Sequence, residues 1–269
     1  MNKGEVIDIL SSNELKAQSR FGQNFLCDDD VIDEIISIAD IKPVSSVLEI
    51  GPGLGALTEG VLDITSSYKA VEIDHGLFEY LNERFGDHFI HSDFLKLERQ
   101  DYYNGEDVIL SNIPYYIMTP IMKKLMVECD KAQKMVFMVE NEAVQRIIAA
   151  PGTKQYGPLA VLCSCFGIVK KEFSVPANCF YPMPHTLSSV ISLTRNSDIV
   201  ITEDLCDLIE ASFSKRRKTL NNSLSDYLSS KKTNIELKEA LRKLNLSENI
   251  RAEALKPDDF IELHKLLLL

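Results

Sequence analysis

A chain of 269 residues, 45% hydrophobic and 26% charged, has the material for one large domain and a small one, each with a packed core. No apolar stretch approaches the roughly 18 residues that cross a bilayer, and the start lacks a basic leader followed by a long apolar run; a cytoplasmic protein off the membrane is expected. A net charge of −11 argues against a nucleic-acid partner only for the chain as a whole.

The elements follow in order. Asp28 is placed to cap a helix through Ala39, ending before Pro43. Short apolar runs then predict strands at Val47–Ile50, Lys69–Ile73, His88–His91, Val108–Leu110, Lys134–Val139, Ile168–Val175 and Ser189–Leu193. Helical spacing falls between them at Leu54–Leu62, Gly76–Phe85, Met118–Val127 and Glu142–Ala149. Pro158–Gly167 fits either period and is taken as helix. Such alternation implies an α/β fold with a mostly parallel sheet, closed by an antiparallel pair. Past a junction at Asn196-Ser197-Asp198, only helical patterns remain: Glu203–Phe213, Arg216–Tyr227, Ile235–Leu244 and Pro257–Leu267. Two domains are expected, 1–198 and an all-helical 199–269.

Charge is uneven across that boundary. About ten of the net negative charges precede residue 196, and Ser212–Lys243 holds nine basic residues against three acidic ones. Lys215, Arg216, Arg217 and Lys218 are its densest point, either a phosphate-binding stripe or a solvated helix face. The six cysteines (Cys27, Cys129, Cys163, Cys165, Cys179, Cys206) lack paired CxxC spacing, which suits buried, reduced thiols; no metal site is expected.

The strand ends carry the chemistry. Glu49-x-Gly51-x-Gly53-x-Gly55 follows the first strand of the core and precedes a helix, where glycines let backbone approach a ligand. Glu72 lies twenty-one positions past Gly51, beside Ile73, where a carboxylate accepts from both ribose hydroxyls. Asp93 ends the third strand as an acceptor for an adenine amine, with Phe94 to flank the ring. From the glycines alone a nicotinamide cofactor and S-adenosyl-L-methionine stand level, with a tight turn that binds nothing as the bland alternative. The fourth strand ends in Asn112-Ile113-Pro114-Tyr115, a poor continuation of a sheet because proline cannot donate to the ladder. It offers the Asn112 amide oxygen, the Pro114 carbonyl and the Tyr115 ring, which suit an exocyclic amine on a flat base. A hydride-transfer enzyme has no use for that set, and none of the five histidines forms a convincing proton relay.

Together these segments resemble the ribosomal RNA adenine N6,N6-dimethyltransferases, specifically the small-subunit, kasugamycin-resistance (KsgA-type) branch, from about Arg20 to the C-terminus. Phe21 to Leu26 (FGQNFL), Val47 to Thr58, Val71 to Asp74, Ser92 to Phe94 and Asn112 to Tyr115 are similar to its successive motifs. Phe180-x-Pro182-x-Pro184 with Ser188 resembles its loop before the last strand; Phe213 to Leu224 and Arg251-Ala252-Glu253 resemble signatures of the small-subunit branch. The resemblance implies a Rossmann-like seven-stranded methyltransferase sheet with a small helical C-terminal domain. It further implies that Asn24, Leu26, Gly51, Glu72, Asp93 and Asn112 contact S-adenosyl-L-methionine, with Gln23 closing the N-terminal segment over it. Asn112 and the Pro114 carbonyl would hold the adenine amine while Tyr115 and Phe180 sandwich the base. The expected partner is 16S ribosomal RNA in the 30S subunit or its precursor, met by a monomer whose basic helical domain holds phosphates. Three departures stand out: Tyr116 where the family usually has Asn, Glu140 for Gln and His185 for Lys. Rival readings are a macrolide-resistance-type 23S ribosomal RNA methyltransferase, a non-catalytic assembly factor and a nicotinamide dehydrogenase.

Overall fold

A computed structural model describes residues 1–113, 115–196, 199–215, 217–231 and 233–268, without the Tyr115 side chain. Helix α1 (Lys3–Ser12) starts in a capping box: the Asn2 side chain accepts from the Gly4 and Glu5 N–H groups, and Glu5 accepts from the Asn2 N–H. Strand β1 (Phe25–Leu26) precedes α2 (Asp29–Ala39), capped as expected by Asp28, which accepts from the Val31 N–H. Asp29 and Asp30 sit in its first turn, where the helix dipole favours anions. The alternating core follows: β2 (Val47–Ile50), α3 (Ala56–Leu62), β3 (Tyr68–Glu72), α4 (His75–Phe85), β4 (Phe89–His91), short α5 (Arg99–Tyr102), β5 (Val108–Asn112), α6 (Met118–Glu128), β6 (Lys134–Glu140) and α7 (Asn141–Ile147). Then come α8 (Pro158–Phe166), β7 (Gly167–Val175), β8 (Phe180–Tyr181) and β9 (Ser188–Arg195).

Seven strands pair in the order β4-β3-β2-β5-β6-β9-β7, as expected of a Rossmann-like methyltransferase sheet. From β4 to β6 every pair is parallel, and β9 runs antiparallel to β6. Central strands β2 and β5 are buried at every position but Asn112, because both faces are covered. Alternate residues Val108, Leu110, Val136 and Met138 meet Ile32 and Ile35 of α2 and Leu57 and Val61 of α3 in one core. The sequence reading did not place α1, which buries only Val6 and Leu10, nor α5 and the two-stranded sheet of β1 and β8, which are too short to carry a period.

Residues group into two compact units, Met1–Val144 with Val169–Arg195, and Gln145–Ile168 with Asn196–Leu269. The second holds α8, α9 (Glu203–Phe213), α10 (Leu220–Ser229), α11 (Leu237–Lys243) and α12 (Pro257–Leu268). Phe213 stacks on Phe260 at 5.9 Å between ring centroids, joining α9 to α12. The helix expected over Arg216–Tyr227 begins only at Leu220. Lys218 N–H turns back to the Lys215 carbonyl, and Leu220 N–H is drawn to the Ile250 carbonyl at 2.7 Å, so Lys215, Arg217 and Lys218 lie in a loop before the helix. Helical spacing would also stack like charges at Lys215 and Lys218. Arg216 lies outside the described residues. All six cysteines are buried and none forms a disulfide among the described residues, of which no helix is long and apolar enough to cross a membrane.

Leu110, with 0% exposure in the central strand, packs in the core shared with α2 and α3. Leu110→Ala should cost about 2–5 kcal/mol in urea unfolding. A loss under about 1 kcal/mol would show that this strand is not the buried centre of the sheet.

Candidate active site at the strand ends

Register builds the site. Ile50 lies opposite Val71 on one side and Ser111 on the other, so the next step along the sheet lines up Gly51, Glu72 and Asn112. With strands spaced about 4.8 Å, Glu72 and Asn112 flank Gly51 roughly 10 Å apart. Two bonds hold the Asn112 strand in place: Ser111 Oγ donates to the Ile50 carbonyl at 2.7 Å, and Ile113 N–H to the Met138 carbonyl at 3.1 Å. A cavity of about 400 Å3 opens over this row.

Gly51 turns the chain off β2 at φ +71°, and Gly53 follows at φ +62°. A Cβ on Gly53 would meet the Phe25 ring at 3.3 Å, so both conformation and space call for glycine there. Main-chain N–H groups from the loop and from the end of β3 point to the neighbouring carboxylate: Glu72 accepts from Gly53 at 3.2 Å and from Asp74 at 2.8 Å. Glu72 is 3% exposed and lines the cavity, and burial raises its carboxyl to about 7 against those main-chain bonds. Glu49 also lines the cavity at 2% exposure. It accepts from the Tyr68 hydroxyl at 2.6 Å and from Thr58 Oγ1 at 2.8 Å, and burial likewise raises it to about 7.

The roof comes from the N-terminal segment. Residues 21–26 all line the cavity. Asn112 Nδ2 donates to the Asn24 carbonyl at 3.3 Å, which turns the nitrogen end of that amide to the roof. Gln23 Nε2 and Gln18 Nε2 both donate to Asp74 Oδ2, while Asp74 Oδ1 caps α4 through the Gly76 and Leu77 N–H groups. Strand β1 sets Leu26 opposite Phe180 of β8, and the Phe180 ring, 2% exposed, closes the same cavity.

A profile of the ribosomal RNA adenine dimethylase family matches residues 14–267. The chain belongs to that family. Ribosomal RNA small subunit methyltransferase A of Natranaerobius thermophilus is 35% identical over 290 residues, covering 98% of this chain and 95% of the relative. The protein of the same name in Malacoplasma penetrans is 34% identical, covering 97% and 96%. Two solved structures share the fold. A dimethyladenosine transferase from Plasmodium falciparum has TM-score 0.74 and 24% identity, covering 91% of this chain and 100% of the other. The 23S rRNA methyltransferase ErmE has TM-score 0.63 and 22% identity, covering 91% and 99%.

Of the residues expected in the site, Gln23, Asn24, Leu26, Gly51, Gly53, Glu72, Ile73, Asn112 and Phe180 meet in the one cavity. Asp93 and Phe94 do not line it. Asp93 accepts from the Leu95 N–H at 3.1 Å and pairs with Lys96, while Phe94 is buried edge-on against Tyr102 at 4.8 Å. Pro114 and the Tyr115 side chain lie outside the described residues. In the basic loop Lys215 pairs with Asp226 at 2.9 Å, and Arg217 and Lys218 are exposed. The sequence reading assigned no role to Gln18, Phe25 or Tyr116, and gave Glu49 and Asp74 none beyond their motifs. Glu49 had a legible signal, an acid inside the apolar run Val47-Leu48-Glu49-Ile50.

Two buried carboxyls raised to about 7 from about 4.5 make folding pH-dependent. Native Glu49 and Glu72 hold protons that the unfolded chain releases. Their contribution to stability is therefore full below about 4.5 and is lost as pH rises through about 7. Urea titrations from pH 5 to 8 should show stability falling with pH, and Glu49→Gln should flatten part of that fall by a few kcal/mol (order of magnitude). Parallel pH profiles of parent and variant would disprove the raised carboxyl.

Proposed function

We propose that this chain is an S-adenosyl-L-methionine-dependent enzyme that dimethylates N6 of two adjacent adenosines in small-subunit (16S) ribosomal RNA during assembly of the 30S subunit. Supporting it is the shared row of Glu72, Gly51 and Asn112: a carboxylate and an amide, assigned to ribose and amine, face one cavity across a glycine turn. The residues present fit the cofactor. About 400 Å3 lies within the range of small-molecule sites, and Glu72 meets main-chain donors while no basic side chain among the described residues neutralises it. When bound, S-adenosyl-L-methionine supplies a methyl group activated by a sulfonium. Glu72 would hold the ribose, Gly51, Gly53 and Ile73 the floor, and Gln23, Asn24 and Leu26 the roof. Asp93 and Phe94 are assigned by family resemblance to the adenine end.

The adenine amine is a weak nucleophile because its lone pair is delocalised into the ring. With its nitrogen end on the Asn24 carbonyl, the Asn112 amide offers its oxygen to one amine hydrogen. The Pro114 carbonyl is assigned the other. Gripping both hydrogens favours a tetrahedral nitrogen with its lone pair localised, a stabilisation aimed at the reacting state. Phe180 and Tyr115 are assigned the two faces of the base once it leaves its stack. Transfer leaves an acidic ammonium whose proton water accepts, so no strong base is needed. The monomethylated amine then turns its methyl aside and presents its remaining hydrogen for the second round.

Lys215, Arg216, Arg217 and Lys218 are proposed to hold RNA phosphates, and the enzyme is proposed to act as a cytoplasmic monomer. Asn112→Ala should slow methyl transfer about 100-fold, roughly 3 kcal/mol of transition-state binding. A loss below tenfold would remove Asn112 from the mechanism. Labelled cofactor with unmethylated small subunits should mark two neighbouring adenosines; label in large-subunit RNA instead would favour the macrolide-resistance reading.

A further inference from the structure

Tyr116 stands where the resemblance leads one to expect asparagine, and nothing in the proposed chemistry uses it. Its ring lines the cavity and its side chain is 62% exposed, so packing does not account for a tyrosine here. What the ring does is reach. From the turn after β5, the Tyr116 hydroxyl donates to the Arg20 carbonyl at 2.9 Å. An asparagine at the same position ends well short of that atom.

Arg20 is where the roof begins. The next six residues, Phe21 to Leu26, all line the cavity. Besides the Asn112–Asn24 bond, the segment is held at the ribose side by Gln18 and Gln23 on Asp74, the residue two past Glu72. At the amine side, beyond Asn112, the Tyr116 bond holds Arg20. Main-chain bonds inside the segment, Gly22 N–H to Ser19 and Phe21 N–H to Gln18, make a single tight turn that carries Arg20, with Gln18 and Gln23 flanking it. Such a turn moves as one piece, so loosening either end loosens the roof.

We propose that Tyr116 is a positioning residue that clasps this roof over the cavity and so slows escape of the bound cofactor. The inference rests on the reading that the cavity holds S-adenosyl-L-methionine. It also predicts a local signature independent of that reading, because the clasped carbonyl belongs to the Arg20–Phe21 peptide bond. Trypsin cleaves after arginine, Arg20 is exposed, and cleavage requires the segment to leave its dock.

Tyr116→Phe removes the hydroxyl and keeps the ring. In the full-length enzyme without ligand, trypsin should cut at Arg20–Phe21 about fivefold faster, the effect expected of losing one neutral hydrogen bond. S-adenosyl-L-methionine should dissociate about fivefold faster in stopped flow, and the change should fall on KM for the cofactor rather than on kcat. Tyr116→Asn should reproduce both effects, and neither variant should alter the melting temperature. Equal cleavage and dissociation rates in parent and variants would overturn the proposal, as would faster cleavage at every tryptic site with a lowered melting temperature. If the parent fails to bind S-adenosyl-L-methionine, the cavity reading and cofactor retention fail together. Faster cutting confined to Arg20 would then support the tie to the roof alone.

Discussion

Everything in the site depends on the register of three parallel strands. Parallel pairing aligns Ile50 with Val71 and Ser111, and the three chains therefore leave the sheet at the same level. At that level the sequence supplies a glycine, a glutamate and an asparagine. A slip of one residue in β3 or β5 would send Glu72 or Asn112 to the opposite face. The buried residues Tyr68 and Ala70 of β3 and Val108 and Leu110 of β5 oppose such a slip, because it would take them out of the core they share with α2 and α3. Core packing thus fixes a spacing of roughly 10 Å between the carboxylate and the amide, a span suited to a nucleoside with a reactive arm.

The sheet supplies only a floor. Residues 21–26 supply the roof, and β1 joins that roof to β8, so Leu26 and Phe180 lie side by side although 154 positions separate them in the chain. Cys27 N–H continues the pairing to the Cys179 carbonyl at 2.8 Å. One wall therefore serves both halves of the proposed reaction: Leu26 on the cofactor side and Phe180 on the base side. Seating of the roof and placement of the base sandwich are mechanically linked, and an ordered roof favours both.

Much of this was legible beforehand because the strands are apolar runs with polar ends. Val47–Ile50 and Val108–Leu110 announce themselves by composition, and the glycine turn after the first and the amide after the second mark where the sheet stops. The family motifs named most of the cavity lining. What was not legible depends on long-range pairing: β1 and β8 are two residues each, too short for any period, and only their mutual register makes them strands. Tyr116 drew notice as a departure, yet its hydroxyl acquires a role only once Arg20, 96 positions earlier, is folded beside it. The start of α10 was misplaced for a similar reason. Residues 216–219 carry helical spacing, and a distant partner, the Ile250 carbonyl, draws Leu220 off that path.

The electrostatics of a polyanion-binding protein with net charge −11 turn on distance. At physiological ionic strength the Debye length is about 8 Å, so a phosphate at the Lys215–Lys218 loop responds to nearby charges and little to acids elsewhere on the surface. A loop suits the proposed task better than the helix the spacing suggested. Four cations on a helix point around its circumference, whereas a turn can direct them to one backbone. Lys215 already pairs with Asp226, so a phosphate there must compete with a carboxylate. Arg217 and Lys218 are both exposed in that loop, which makes them the better placed of the described cations for RNA.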